Sequence, residues 1–389
     1  MNQNNPNKNK LNQNNLNQNN SASAISVAIV TNTPAPYRIP IYQILAQKLG
    51  VDQFNVIYCT TREANRAWDL NQSGFNLTYL KENTFVWQGR YIHFNWGVLK
   101  QLRQLNPNVV ITTGFNPTFL LAFAYVIFYK KKHIPMTDGT LASEQMLTWA
   151  HRFVRRVVYR FSSAFIGASL GSFMLYNRYG IGDKRMFKSH LCANNKAFKP
   201  VDLNKRTFDF MFSGRFSAEK NPIFALNVAY GVAKLLKRKV TMLLLGSGAL
   251  LAQAQAHALT LEPHVEAVFS GFVQQQQLPP LYCSAKVFLF PTSWDPWGVV
   301  ANEACAAGQA VLVSPHAGAA NDLIMHAQNG YVLPLNLNVW VQHAADLLSN
   351  AELLKQFSNS SLLNVQAYTY EAAANGIMEA VCSVETVMS

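Results

Sequence analysis

The chain reads as an α/β protein made of two doubly wound parallel sheets on either side of a cleft. Three observations predict this. Short β-branched and apolar runs alternate with helical patterns along the whole chain, as parallel βαβ units require. At 389 residues the chain exceeds one ordinary core, so two domains are expected. Finally, two carboxylates, Asp295 and Glu303, stand seven residues apart just after the apolar run Lys286–Phe290. The carboxyl ends of strands are where open α/β sheets bind ligands.

Taken in order, residues 1–22 are Asn/Gln/Lys-rich and lack the apolar core of a signal peptide, which reads as a disordered tail. Residues 23–200 form the first predicted domain, with strands at Ile25–Val30, Asn55–Cys59, Val109–Thr113 and Ala164–Ala168. Residues 201–360 form the second, with strands at Phe208–Phe212, Val240–Leu245, Ala267–Ser270, Val287–Phe290 and Ala310–Val313. Helices are predicted over Pro222–Leu236 and Val339–Leu348, and one beginning at Asn302. Residues 361–389 read as a helical segment returning toward the first domain. The longest apolar run, Phe119–Tyr129, is too short to span a bilayer and is predicted to be a buried helix ended by Lys130–Lys132.

Charge separates the halves. Residues 1–200 hold 23 Lys and Arg against 7 Asp and Glu, a net +16, while residues 201–389 hold 10 against 13, a net −3. A basic half suits an anionic partner, whether a phosphate-bearing surface, nucleic acid or membrane, or is a solvated basic face. The predicted helix Leu147–Phe161 carries Arg152, Arg155, Arg156 and Arg160 on one side, with Phe153, Val154, Val157, Val158 and Phe161 on other faces. Such a helix fits peripheral contact with an anionic membrane, or ordinary packing with a basic exposed face. The basic residues are not interleaved with the aromatic motifs of a known nucleic-acid module, so no nucleic acid is expected. Five cysteines with no CxxC pair indicate neither a disulfide framework nor a zinc site, and a reducing cytoplasm fits.

The chemistry concentrates in the second half. Ser213-Gly214-Arg215-Phe216-Ser217-Ala218-Glu219-Lys220-Asn221-Pro222 follows a strand and opens a helix. Gly214 lets the chain turn, and Arg215 and Lys220 beside a helix N-terminus make a receptor for a diphosphate. Gly246 and Gly248 end the strand Val240–Leu245, either as a plain turn or as a ligand approach. The backbone at Val273 is placed to face a nucleobase. In Ser293–Ala304, Gly298 leaves room for a ligand to approach the backbone. In the first half, Asp138 ends the strand Ile134–Met136 and either faces the cleft or caps the turn with Gly139. Arg38 either meets a ligand phosphate or is a surface cation. His93 reads as a surface or core histidine.

From about Phe208 to Asn350, these segments in this order resemble the donor-binding half of family 4 glycosyltransferases of the GT-B fold. More loosely, Thr31–Pro40, Arg90–Asn95, Gly114–Pro117 and Thr137–Thr140 resemble the bacterial surface-polysaccharide branch. The resemblance implies two Rossmann-like domains: an acceptor-binding domain followed by a nucleotide-sugar-binding domain. It implies transfer of a sugar from a UDP- or GDP-type donor to a polysaccharide or lipid-linked acceptor, with retention of configuration. Arg215 and Lys220 would neutralise the diphosphate, and Glu303 would hold the ribose hydroxyls. Asp295 stands where relatives usually have Glu, on the sugar or phosphate side, and Trp297, Gly298 and Val299 would offer backbone N–H groups. Asp138 stands where relatives often carry a His. Asn194 stands where they often carry an Asp, a change assigned to the linker. There is no DxD triplet, so neither metal nor cofactor is expected. Three alternatives remain: a catalytically silent relative that binds nucleotide-sugar or acts as an assembly partner, a nucleic-acid binder, and an epimerase on the same fold.

Overall fold

The structure, a computed structural model, describes residues 25–61, 72–87, 90–145 and 147–385. The predicted N-terminal tail lies outside these residues. The first sheet is formed by β1 (Val27–Thr31), β2 (Phe54–Tyr58), β3 (Asn76–Tyr79), β6 (Val109–Thr112), β7 (Lys132–Thr137), β8 (Phe165–Gly167) and β9 (Met186–Lys188), with a separate antiparallel pair β4 (Thr84–Trp87) and β5 (Arg90–His93). Its helices are α1 (Ile39–Leu49), α2 (Gly97–Leu105), α3 (Pro117–Phe128), α4 (Leu141–Gln145), α5 (Trp149–Arg160) and α6 (Leu170–Arg178). The second sheet is formed by β10 (Phe208–Ser213), β11 (Val240–Leu245), β12 (Val265–Gly271), β13 (Ala285–Phe290), β14 (Ala310–Val313) and β15 (Gly330–Val332). Its helices are α7 (Pro222–Leu236), α8 (Leu251–Thr260), α9 (Leu278–Cys283), α10 (Val299–Ala306), α11 (Leu337–Ser349) and α12 (Ala351–Asn364), and α13 (Tyr370–Glu385) ends the described chain.

Both sheets are parallel throughout, in the orders β3-β2-β1-β6-β7-β8-β9 and β12-β11-β10-β13-β14-β15. The strand order reverses between β1 and β6 and again between β10 and β13. These switch points open a crevice at the strand carboxyl ends, so each sheet offers one natural ligand edge. The central strands β10, β13 and β14 are buried almost end to end, which is why they read as continuous apolar runs. The short edge strands β3, β9 and β15 were not anticipated. With three or four residues each, they carry too little apolar pattern to stand out.

Packing explains the other differences. Helix α3 buries Phe119, Ala122, Tyr125 and Val126, but its last turn is open and Phe128 is 79% exposed, so the helix is only partly buried. Helix α10 starts at Val299, three residues before the predicted start at Asn302. Helix α5 departs from the predicted segregation. Arg155 turns inward to an ion pair with Glu144, while Phe153 and Val157 face outward with Arg152, Arg156 and Arg160. The C-terminal helix α13 buries Ala373, Ala374, Ile377, Ala380, Val381 and Val384 in the first domain's core, against α1. The chain thus crosses between domains twice, once near residue 200 and once before α13.

Candidate active site

Three strand ends of the second sheet build one side of the cleft. The Gly214 amide donates to Leu245 O at 3.0 Å and the Gly246 amide to Gly271 O at 2.7 Å, holding the turns after β10, β11 and β12 side by side. Gly246 sits at φ +126°, and a Cβ there would collide with Gly214 O. Gly248, at φ +149°, is packed against the Phe216 backbone in the same way, so its place in the structure is a close turn rather than the cleft wall. The loop after β13 is tied to the loop after β10: the Ser293 amide and Thr292 Oγ1 both donate to Glu219 O at 2.8 Å.

The resulting cleft has a volume of about 510 Å³. Of the residues singled out from sequence, Gly214, Arg215, Lys220, Gly246, Val273, Asp295, Trp297, Gly298, Val299, Glu303 and Asp138 line it. Arg38 and Gly248 are not part of this lining, although Pro36 and Tyr37 are. His93 is buried, so of its two readings the core one describes its position.

Charge inside the cleft is specifically arranged. Lys220 Nζ lies 2.7 Å from Asp295 Oδ2 and 3.2 Å from Trp294 O, while Asp295 Oδ1 accepts from the Trp297 amide at 3.1 Å. Both oxygens of Asp295 are therefore engaged by the protein, and this carboxylate aims the lysine and shapes the loop. Arg215 reaches toward Glu219 at 3.6 Å but remains largely exposed, with its guanidinium available to a ligand. Gly298, at φ +91°, caps α10, and any side chain there would run into the Phe290 ring. The first amides of a helix have no intrahelical acceptor, and at α10 they open onto the cleft through Gly298, Val299 and Val300. The earlier start of α10 is what places Val299 and Val300 in this first turn. The Trp297 indole is fully buried and donates to Asn302 Oδ1 at 2.7 Å, so only its backbone can face a ligand.

Glu303 sits on α10 one turn deeper and is almost wholly enclosed. Burial pushes its carboxyl up to about 7, partly offset by the Tyr282 hydroxyl. A carboxyl held this way takes up or gives up its proton near neutrality, according to what fills the cleft. Among the described residues no group of three or more His, Cys, Asp or Glu is placed to hold a metal ion.

Sequence reasoning missed several participants. Trp294 and Phe272 present partly exposed rings at the cleft, flanked by Gln275 and Leu278. An aromatic next to the acid in Ser293–Trp297 was the available signal. It missed Asp322 altogether. This carboxylate, on the loop after β14, is only 3% exposed and accepts from the Leu170 amide at 2.8 Å, Lys188 Nζ at 2.6 Å and Tyr368 Oη at 2.5 Å. The loop carrying it pairs with the cleft loop through the Asp295 amide to His316 O, the Gly318 amide to Asp295 O and the Ala319 amide to Trp297 O. A contact between the two domains is thereby fastened to the cleft wall. His190 packs its ring on Tyr368 beside this cluster, and burial lowers it to about 4, so it stands there neutral.

Against known proteins, residues 194–362 match the family model described as glycosyl transferases group 1. That segment is similar to group 1 glycosyl transferases, and the fold of the whole chain is GT-B. HepE from Anabaena, solved in complex with UDP, superposes with a TM-score of 0.72 at 14% identity, covering 92% of this chain and 100% of that one. Sucrose-phosphate synthase from Thermosynechococcus elongatus superposes with a TM-score of 0.70 at 15% identity, over 93% of this chain and 100% of its own. In sequence, an uncharacterized glycosyltransferase of Methanocaldococcus jannaschii is 34% identical over 128 residues, which are 32% of this chain and 32% of that protein. The match thus spans about a third of the relative's own length. All the donor-side candidates lie within the matched residues 194–362; Asp138 and Arg38 lie outside them.

Proposed function

We propose that this protein transfers a sugar from a UDP- or GDP-type donor to a polysaccharide or lipid-linked glycan. The observation that carries the reading is the convergence of Arg215, Lys220, the α10 N-terminus and Glu303 on one cleft at a sheet switch point. A diphosphate fits the two cations and the free amides, and a ribose fits the buried carboxylate. In the reaction the acceptor hydroxyl oxygen bonds to the anomeric carbon as the bond from that carbon to the diphosphate oxygen breaks. The bonding electron pair leaves on the phosphate oxygen, which takes the hydroxyl proton and leaves the configuration retained. Negative charge grows on the phosphate, and prepositioned donors stabilise it; losing one typically costs on the order of 10²–10³ in rate. Asp295 acts by holding Lys220 in place. Asp138, across the cleft at the end of β7, belongs to the acceptor or sugar side. HepE, a protein of the same fold, was solved with UDP, which favours a uridine nucleotide as the first ligand to try.

The test is calorimetric titration with UDP and GDP, beside an Arg215→Ala/Lys220→Ala variant. Micromolar binding of one nucleotide, lost in the variant and unchanged by EDTA, is expected. Absence of binding for both nucleotides would sink the donor-site reading.

A further inference from the structure

Helix α2 opens on an exposed tryptophan beside an asparagine that the fold clamps in place. Trp96 caps α2 and is 61% exposed, with its ring centroid 5.0 Å from that of Phe94. Asn95, between them, is buried. Its amide donates to Thr118 Oγ1 at 2.9 Å, and that hydroxyl donates to Asn95 Oδ1 at 2.9 Å. Asn95 Nδ2 donates to Cys59 O at 3.1 Å and to Lys81 O at 2.7 Å. Cys59 and Lys81 follow β2 and β3, and Thr118 lies in the first turn of α3, so the clamp stands at the carboxyl edge of the first sheet. The Phe94 amide donates to Asn83 O at 2.9 Å, which runs residues 81–83 alongside. Phe85 faces Ile92 across the hairpin, and Phe94 continues the alternation from Ile92, so both rings lie on the side opposite the buried His93. One ring exposed by itself is ordinary. Here three aromatic residues share one rigid corner of a ligand edge.

Between this corner and the cleft the edge carries hydroxyls and amides. Strand β2 neighbours β1, whose following loop brings Pro36 and Tyr37 to the cleft, and adjacent strands are about 4.8 Å apart. Thr113 Oγ1 donates to Thr31 Oγ1 at 3.0 Å and Asn116 Nδ2 to Asn32 Oδ1 at 2.9 Å, which ties the ends of β1 and β6. All four side chains are partly open to solvent. The Thr60 amide donates to Asn32 O at 3.0 Å and joins the end of β2 to them. Glu82 Oε1 accepts from Thr60 Oγ1 at 2.6 Å, Thr61 Oγ1 at 2.9 Å and the Thr61 amide at 3.2 Å, which leaves Oε2 outside these bonds. Residues 31–35, 59–61 and 113–118 contain no Lys or Arg.

We infer that Trp96 is a subsite for a pyranose ring of the acceptor glycan, beyond the unit that receives the new sugar. The inference rests on the proposed function for the acceptor's class and adds where its chain lies. A pyranose presents C–H groups on its face and hydroxyls around its rim. The C–H groups carry slight positive charge and settle on the negative face of the indole. The hydroxyls find acceptors and donors in Glu82 Oε2 and in the threonine and asparagine groups of the strand ends. Those strand ends offer no cation to a phosphate, so the chain they suit is neutral. The arrangement reads length: a single sugar held in the cleft does not reach Trp96, whereas a short oligosaccharide running from the end of β1 to that of β2 does. The clamp at Asn95 holds the ring in position before the glycan arrives, which lowers the ordering cost of binding.

The test is an array printed with neutral bacterial surface glycans, from single sugars to hexasaccharides, probed with the full-length protein alone and with UDP. Trp96→Ala, Trp96→Phe and Glu82→Gln accompany it, and an unchanged melting temperature verifies that each is folded. We expect retention of glycans longer than one unit. Trp96→Ala should weaken it about tenfold, the upper range for one aromatic contact, and Trp96→Phe should recover most of the loss. Glu82→Gln should weaken it a few-fold. With a retained glycan as acceptor, Trp96→Ala should raise KM about tenfold at unchanged kcat, the pattern of a group that binds ground and transition states alike. Equal retention by natural protein and Trp96→Ala, or a fall in kcat at unchanged KM, would overturn the subsite. So would retention of no glycan by a protein that binds UDP; the donor site would then stand, with a protein as the occupant of the Phe94–Trp96 corner. Retention that depends on Trp96 in a protein that binds neither UDP nor GDP would keep the carbohydrate site and sink the donor reading.

Discussion

The two sheets follow the same winding rule, yet they equip their ligand edges in opposite ways. The second sheet gathers its cleft residues in a few short loops, Ser213–Lys220 and Trp294–Glu303 above all, each directly after a strand. The first sheet contributes Pro36 with Tyr37, Asp138 and Leu191, one or two residues from each of three segments more than fifty positions apart. A diphosphate, the ligand proposed for this edge, can be held by contiguous residues of one strand–loop–helix unit. On the proposed reading the acceptor side would draw its contacts from wherever the first domain's strand ends meet the cleft.

That contrast can be broken most sharply at Asp138. If the first domain serves the acceptor and not the nucleotide, Asp138→Asn should lower transfer by about 10²–10³, the range for a positioned acid, base or charge group. Its nucleotide affinity, read by calorimetry, should equal that of the natural protein. An equal loss in both quantities would place Asp138 on the donor and erase the division of labour between the sheets.

Glu303 sharpens the comparison from the other edge. Its carboxyl is raised above the ordinary value in the empty folded protein, to about 7. The proton it keeps favours the folded, empty state below the ordinary carboxylate range, and that contribution is lost as pH rises through about 7. On the proposed reading Glu303 receives ribose hydroxyls, which need an acceptor and so would bind the ionised form. Nucleotide affinity should therefore climb by up to about tenfold per pH unit below 7 and flatten above it. The melting temperature of the empty protein should fall over the same window while the stabilisation by nucleotide grows. Glu303→Gln should bind more weakly with a flat pH profile. A natural protein whose affinity does not change between pH 6 and about 8 would remove Glu303 from the nucleotide site.

The difference between the edges also explains what was legible in the sequence. Helix α7 reads at Pro222–Leu236 and β14 at Ala310–Val313, because a proline start and a fully buried apolar run are local signals. That Arg215, Lys220, Asp295 and Glu303 meet at one cleft is legible for the same reason, since they sit at fixed offsets from strands. The outward placement of Phe153 and Val157 on α5 is not legible, because helical periodicity cannot say which face the sheet will cover; Arg155 looked like its neighbours until Glu144 claimed it. Arg38 looked like a cleft residue from its loop position, but the chain turns so that Pro36 and Tyr37 face the cleft instead. Asp322 left no trace at all, since its partners Leu170 and Lys188 are 152 and 134 positions away.

Asp322 offers the smallest test and the one that joins the two edges. It receives Lys188 and the Leu170 amide from the first domain, yet its loop is bonded to the cleft loop at Asp295 and Trp297. Asp322→Asn keeps the shape but removes the charge that Lys188 and Tyr368 face. Lys188 is about one-third exposed and can turn to water, so the loss should be modest, about 1–3 kcal/mol, most of it from buried hydrogen bonds. In scanning calorimetry this should appear as a lower first transition, with the two domains beginning to unfold separately. Nucleotide affinity should fall only a few-fold, because the cations, amides and Glu303 remain in place. If domain coupling is unchanged, the carboxylate is an ordinary loop anchor; if nucleotide binding collapses, the domain contact itself is what holds the donor edge in shape.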